Sequence, residues 1–316
     1  MAYRRKYSSS RAKRPTARSV KRGGPRRRYP TKKRTYRKKA AMSKKRILNI
    51  SSTKKRDNML PYTNLTNAAP DGGTTYVNAP AILTARTTGD PNVNSPQCLL
   101  WCATARDLTR LDNTTLNNRI MESARTATTC YMVGLKERID IQVSSGLPWQ
   151  WRRICFTIKA TLPGSEESTS FYNHKETSAG YMRVVNSVQG DRNSGQMYSL
   201  FETLFAGQNA SDWLDPMVAK TDQMRCTIKY DKTVTIASGN ERGMVRAYNR
   251  WHPMKKNLVY NDDERGETIT NADYSTSAKP GMGDYYVCDL FRNRIAGSTT
   301  DQLIFSPSAT LYWHER

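Results

Sequence analysis

The residues of this chain best placed to do chemistry are its cations. Arg4, Arg5, Lys6, Arg11, Lys13, Arg14, Arg18, Lys21, Arg22, Arg26, Arg27, Arg28, Lys32, Lys33, Arg34, Arg37, Lys38, Lys39, Lys44, Lys45 and Arg46 recur every few positions with no acid between them. Side chains of one sign at that density suit a polyanion, since each can neutralise a phosphate and release its counterion. Tyr29 and Tyr36 stand among them, as do Tyr3 and Tyr7. Base stacking, which tolerates any sequence, is the chemistry such rings add to a nucleic-acid-binding arm; the plainer reading is solubilised filler. Within residues 25–39, PRRRYPTKKRTYRKK, the clusters Arg26, Arg27, Arg28 and Lys32, Lys33, Arg34 are of the kind a nuclear import receptor reads on extended chain, and they suit phosphates equally.

Other chemistry-bearing patterns are weaker. GDRNSGQM, residues 190–197, has the two glycines of a phosphate-binding loop, but Gln196 stands where the motif needs Lys and Met197 where it needs Ser or Thr. Without that ammonium and hydroxyl nothing holds a terminal phosphate and magnesium, so a plain loop before a helix is expected. His174, His252 and His314 lie far apart, and none belongs to a metalloprotease, deaminase or nucleophile-elbow pattern. The chain reads as a non-enzyme with no cofactor. Cys98 and Cys102 are the only close pair among six cysteines and have no second pair to complete a zinc set, so buried free thiols are expected and no metal.

The distribution of charge says what the cations serve. The chain has 316 residues and a formal net charge of +24. Residues 1–56 hold 24 of the 51 Lys and Arg and none of the acids, leaving 27 bases against all 27 acids in residues 57–316. An enzyme or ribosomal domain with a basic face would keep its excess on the folded part. Here residues 1–56 read as an arm that repels itself and stays disordered until a polyanion neutralises it. Pro15, Gly23, Gly24, Pro25 and Pro30 argue against helix there. The N-terminus lacks the apolar stretch of a secretory signal and no apolar run reaches membrane-span length, so a soluble, intracellular product with no membrane partner is expected.

Residues 57–316 read as one domain. Residues 61–96 look like a linker laid along it, with one early strand near Ala81 to Arg86, and residues 105–127 as a short helix or a loop. Ile139, Ile141 and Val143 alternate with Asp140 and Gln142, and Ile154, Phe156 and Ile158 alternate with Cys155, Thr157 and Lys159. Both segments predict half-buried strands, and the SSGLP turn between them predicts an antiparallel hairpin. Further strands are expected at 181–188, 224–236, 245–248, 257–260, 285–291, 302–305 and 310–313. Met197, Leu200, Phe201, Leu204 and Phe205 fall at helical spacing, with Gly207 as C-cap. Many strands and one short helix in a connection point to an all-β sandwich, for which the eight-stranded jelly roll is the viral-capsid form.

Several of these stretches resemble a known family. QMYSLFETLFAGQNA, MRCTIKYDKTVT, ERGMVRAYNRWHPMKKNLVYNDDERGE and the C-terminal SATLYWHER are similar to segments of geminivirus coat proteins. The Tyr-punctuated start, MAYRRKYS, is more like their fungus-associated relatives, the genomoviruses. The NLVYN element is a looser match, and the chain ending is more polar than that family's aromatic finish. The resemblance covers roughly residues 130–316. It implies a jelly-roll capsid protein, a homo-oligomer forming an icosahedral shell of about sixty copies around circular single-stranded DNA, found in the virion and the host nucleus. Two other readings use the same residues: an RNA-virus coat of the same architecture, and a cellular nucleic-acid-binding protein with a basic tail. Against the second stands the lack of a helix-turn-helix, zinc-finger or RRM signature.

Overall fold

Eight strands carry the architecture of this protein, seen in a computed structural model that describes residues 42–87, 95–165, 171–188 and 194–316. They are β1 (Thr53–Met59), β2 (Gln97–Cys102), β3 (Thr129–Val143), β4 (Trp149–Ile158), β5 (Thr227–Ile236), β6 (Met244–Val259), β7 (Asp284–Asn293) and β8 (Gln302–Glu315). The first sheet runs β1-β8-β3-β6, the second β5-β4-β7-β2, and every pair is antiparallel. This order, first strand beside last and each sheet drawing on both halves of the chain, is that of a jelly roll built from two Greek keys. The short strand Ala81–Thr84 extends the first sheet by pairing with the start of β8.

The core has two levels. Between the sheets, Met132, Leu135, Ile139 and Ile141 of β3 and Phe305, Leu311 and Trp313 of β8 face Trp101, Trp151, Cys155 and Val287 of the second sheet. Above the second sheet lies another apolar layer. Helix α2, residues Ser194–Leu204, sets Leu200, Phe201 and Leu204 with Phe205 and Trp213 against Leu100, Ile154, Phe156 and Cys288. Gly207 follows with a φ of 83°, in the left-handed region where glycine carries no Cβ penalty. Strands β2, β4 and β7 of the second sheet are therefore buried on both faces, whereas its edge strand β5 stays largely exposed and the first sheet is buried on only one face.

Several expectations need correction. Segments β3 and β4 do not form a hairpin: β3 pairs with β8 and β6, β4 with β5 and β7, and the turn between them passes from one sheet to the other. Alternation shows which face is apolar but not which neighbour a strand pairs with. Strand β4 is buried on both faces rather than half-buried, because α2 covers its Ile154, Phe156 and Ile158 side. Strand β2 was not expected; after Gln97 its residues CLLWC form a continuous apolar run with every residue buried, which carries no period-2 signal.

Two pairs of expected strands are single strands. Residues 245–248 and all of 257–260 except Tyr260 belong to β6, which stays continuous through a bulge between Pro253 and Lys256, where a residue lacking an N–H is tolerated. Strand β8 runs unbroken from 302 to 315 although Pro307 lies inside it. Pro307 falls between the stretch paired with Ala81–Thr84 and the stretch paired with β1, so no ladder bond is lost on that side. At 181–188 the structure has only the short strands Gly180–Tyr181 and Arg183–Val185, and residues 105–127 contain no helix.

The arm boundary also moves. Helix α1, residues Lys44–Ser51, and β1 both begin before Asp57, and the compact folded unit starts at Lys45 rather than at residue 57. The last helix breaker of the basic stretch is Pro30, so nothing in residues 44–51 opposes a helix. The expected disorder of residues 1–41 and the loop at residues 190–193 lie outside the described residues.

Candidate nucleic-acid interface

Most of the cations expected to meet nucleic acid, Arg4 to Lys39 with Tyr29 and Tyr36 and the import clusters, lie outside the described residues. Lys44, Lys45 and Arg46 open α1, where Lys44 and Arg46 are exposed along with Ile47, Leu48 and Ile50. Of the next three cations, Lys54 and Arg56 point outward from β1. Lys55 points inward, its ammonium donating to the carbonyls of Arg119 (3.1 Å), Met121 (2.6 Å) and Ala124 (3.1 Å). Burial lowers its pKa. It serves the fold, not a ligand.

Strand register assembles the outward face of the first sheet from four strands. Lys54 of β1 stands beside His314 of β8 and Tyr131 of β3; two residues on, Arg56 stands beside Tyr312 and Gly134. Asn58, Thr310, Lys136 and Trp251 form the next row, and Ser308, Arg138 and Asn249 the one after. Rows recur every two residues, about 7 Å along the strands. Lys54, Arg56, Lys136 and Arg138 are exposed. The acids of this face are Asp140, bonded by Gln142 at 2.9 Å, and Glu122, a solvated partner of Arg56 at 3.3 Å.

Aromatic rings sit between these cations. Trp251 and Tyr312 have centroids 5.9 Å apart, and Tyr131 and His314 lie 6.1 Å apart. Trp251 is 49% exposed and Tyr131 41%. Burial and the nearby Lys54 lower the His314 pKa, which leaves its ring neutral at neutral pH. At Gly134 an added Cβ would lie 2.7 Å from both the His252 carbonyl oxygen and the Trp251 ring, so the bare backbone lets the neighbouring strand and its indole come close.

No protein-family model matches the chain, and no curated protein matches it significantly. The site rests on its own geometry.

Beneath the same face a buried ion network joins the sheets. The Arg153 guanidinium on β4 donates to Glu137 Oε2 on β3 at 2.6 Å and to both Asp289 oxygens on β7 at 2.7 and 2.8 Å. Arg183 reaches Glu137 Oε1 (3.1 Å) and Asp289 Oδ2 (3.2 Å), and the Trp151 indole donates to Asp289 at 2.7 Å. All four charged groups are buried, so two cations and two carboxylates balance in place. Although burial opposes ionisation of Glu137, the two guanidiniums hold its carboxyl well below the usual range. Its role is to clamp the sandwich.

The three histidines do not converge. His252 lies beside Glu137 at 3.6 Å, and His314 belongs to the outer face. His174 pairs with the Tyr274 hydroxyl (2.7 Å) and Asp273 (3.3 Å) at a small cavity also lined by Asp107, Glu176 and Tyr181. All six cysteines are buried free thiols; Cys98 and Cys102 share no partner, and Cys98 Sγ lies 3.7 Å from Cys288 Sγ. Among the described residues no helix is long and apolar enough to cross a membrane, and no cluster could hold a metal ion.

Sequence reasoning did not single out Glu137, Arg153, Lys136, Arg138 or Trp251. Parity was the usable signal. Glu137 shares the inward parity of Ile139 and Ile141, whereas Lys136 and Arg138 share the outward parity of Asp140 and Gln142.

Proposed function

We propose that this chain is the coat protein of a small circular single-stranded DNA virus of the genomovirus and geminivirus kind. About sixty copies close into an icosahedral shell, and the basic arm holds the packaged strand inside. The observation that carries the reading is a jelly roll, neutral from residue 57 onward, joined at its first strand to a basic stretch without a single acid. Such a partition suits a protein that must pack against copies of itself while gripping a polyanion with a separate segment. The clusters Arg26–Arg28 and Lys32–Arg34 then serve twice, for import into the host nucleus and for phosphate contact.

The test is to express the full chain and a form lacking residues 1–39, purify the assemblies and compare absorbance at 260 and 280 nm. Full-length particles should contain nucleic acid that is digested by a single-strand DNase and resists RNase once extracted, and the truncated form should encapsidate little. Equal content in both would refute the arm's role, and RNase-sensitive cargo would favour the RNA-virus reading.

A further inference from the structure

Among the described residues no helix covers the outward face of the first sheet, and the face carries more cations than acids. Four exposed cations, Lys54, Arg56, Lys136 and Arg138, frame two aromatic pairs, Trp251 with Tyr312 and Tyr131 with His314, against the acids Asp140 and Glu122. We propose that this face is a second binding site for single-stranded nucleic acid, with bases stacking on Trp251 and Tyr312 and with Lys136, Arg138 and Lys54 meeting the phosphates. The inference rests on the packaging reading and extends it from the arm to the folded body.

Three observations point to this occupant. Trp251 and Tyr131 are large rings left 49% and 41% exposed among the cations of this face, an arrangement that suits a flat partner with a π-surface. Gly134 allows a close approach: a Cβ there would meet both the His252 carbonyl oxygen and the Trp251 ring at 2.7 Å. A glycine inside a fifteen-residue strand weakens it unless something needs the close approach. Charge is the third. Lys136 and Arg138 offset Asp140 and Glu122, so the excess of cations on this face is supplied by Lys54 and Arg56, where the basic stretch enters the sheet through β1. A polyanion complements that excess, whereas a second copy of the same face would meet it with like charge.

The experiment uses the full chain freed of nucleic acid in high salt, mixed with a thymidine oligonucleotide carrying 5-iodouracil and irradiated. Peptides crosslinked to the oligonucleotide are then mapped. Crosslinks at Trp251, Tyr312 or Tyr131 are expected alongside those in the arm. In parallel, Trp251→Ala with Tyr312→Ala should weaken binding of the unsubstituted oligonucleotide by about tenfold or more, the factor for losing a stacked base. Trp251→Phe should restore part of the loss. Lys136→Ala with Arg138→Ala should lower the slope of log affinity against log salt by about 0.7 per lost phosphate contact. Crosslinks confined to the arm, with unchanged affinity in the aromatic double variant, would overturn the proposal while leaving arm-based packaging intact. Loss of particle assembly without loss of oligonucleotide binding would overturn it in favour of a contact between copies. Failure of the full chain to bind any oligonucleotide would refute the packaging reading and this inference with it.

Discussion

At Glu176 burial outweighs solvation. Partial removal from water, reinforced by Asp107, Asp273 and Asp57 and opposed by Arg106, raises its carboxyl to about 7. Asp284, buried and accepting bonds from Ser275 and Thr104, is raised to about 6. A carboxyl whose pKa is higher folded than unfolded binds its proton more tightly in the native state, so stability falls as pH rises through that window. For Glu176 the penalty is absent below the ordinary value of 4.5 and complete above about 7. The melting temperature should therefore rise as pH falls from 7.5 to about 5. Thermal scans of Glu176→Gln should show a flatter profile over that range, and an unchanged slope would exclude Glu176 as a cause. Further acidification reverses the trend, because the Glu137 carboxyl, ordinarily at 4.5, is depressed and its ion pairs are lost on protonation.

At the scale of elements, β4 is the strand on which the fold turns. It is enclosed between β3 and β8 below and α2 above, and it carries Arg153 into the space between the sheets. Removing one member of a buried, hydrogen-bonded ion network strands the others without solvent, so Arg153→Ala should cost roughly 3–5 kcal/mol. Arg153→Met should cost less than Ala because the stem still fills the volume, although Glu137 and Asp289 are left with Arg183 as their one guanidinium partner. Urea unfolding followed by tryptophan fluorescence measures both, and a loss below about 1 kcal/mol for Arg153→Ala would mean that water enters the network. Part of this element was legible in its sequence. The period-2 pattern located the strand and its ends to within two residues, but both faces read as one apolar and one polar when Arg153, Cys155 and Thr157 are all buried. A buried Arg looks like an exposed one until its acids, 16 and 136 residues away, are placed beside it.

At the scale of the molecule, the proposed shell links copy number to cargo. Residues 1–52 hold 21 cations, so about sixty copies bring on the order of 1300 positive charges to the interior. With one phosphate per nucleotide and counterions neutralising a remainder, a packaged strand of roughly 1500–2500 nucleotides is expected. Sizing the strand extracted from purified particles tests this. A much longer strand would require more copies or a different charge balance.

What the sequence determined by itself was local or additive. The sum of charges needs no coordinates, so the division into a basic stretch and a balanced body could be read directly, as could the alternation of β3 and the 3.6-residue spacing of α2. Strand existence followed from periodicity because a pleated segment with one wet face must alternate. The tertiary structure decided whatever depended on distant partners: that β3 and β4 belong to opposite sheets, that α2 buries the second sheet's outer face, that Glu137, Arg153, Arg183 and Asp289 share one site, and that Trp251 meets Tyr312 across Gly134. Pairing is fixed by long-range complementarity of register and packing, and a pattern with period two is satisfied equally well by either sheet.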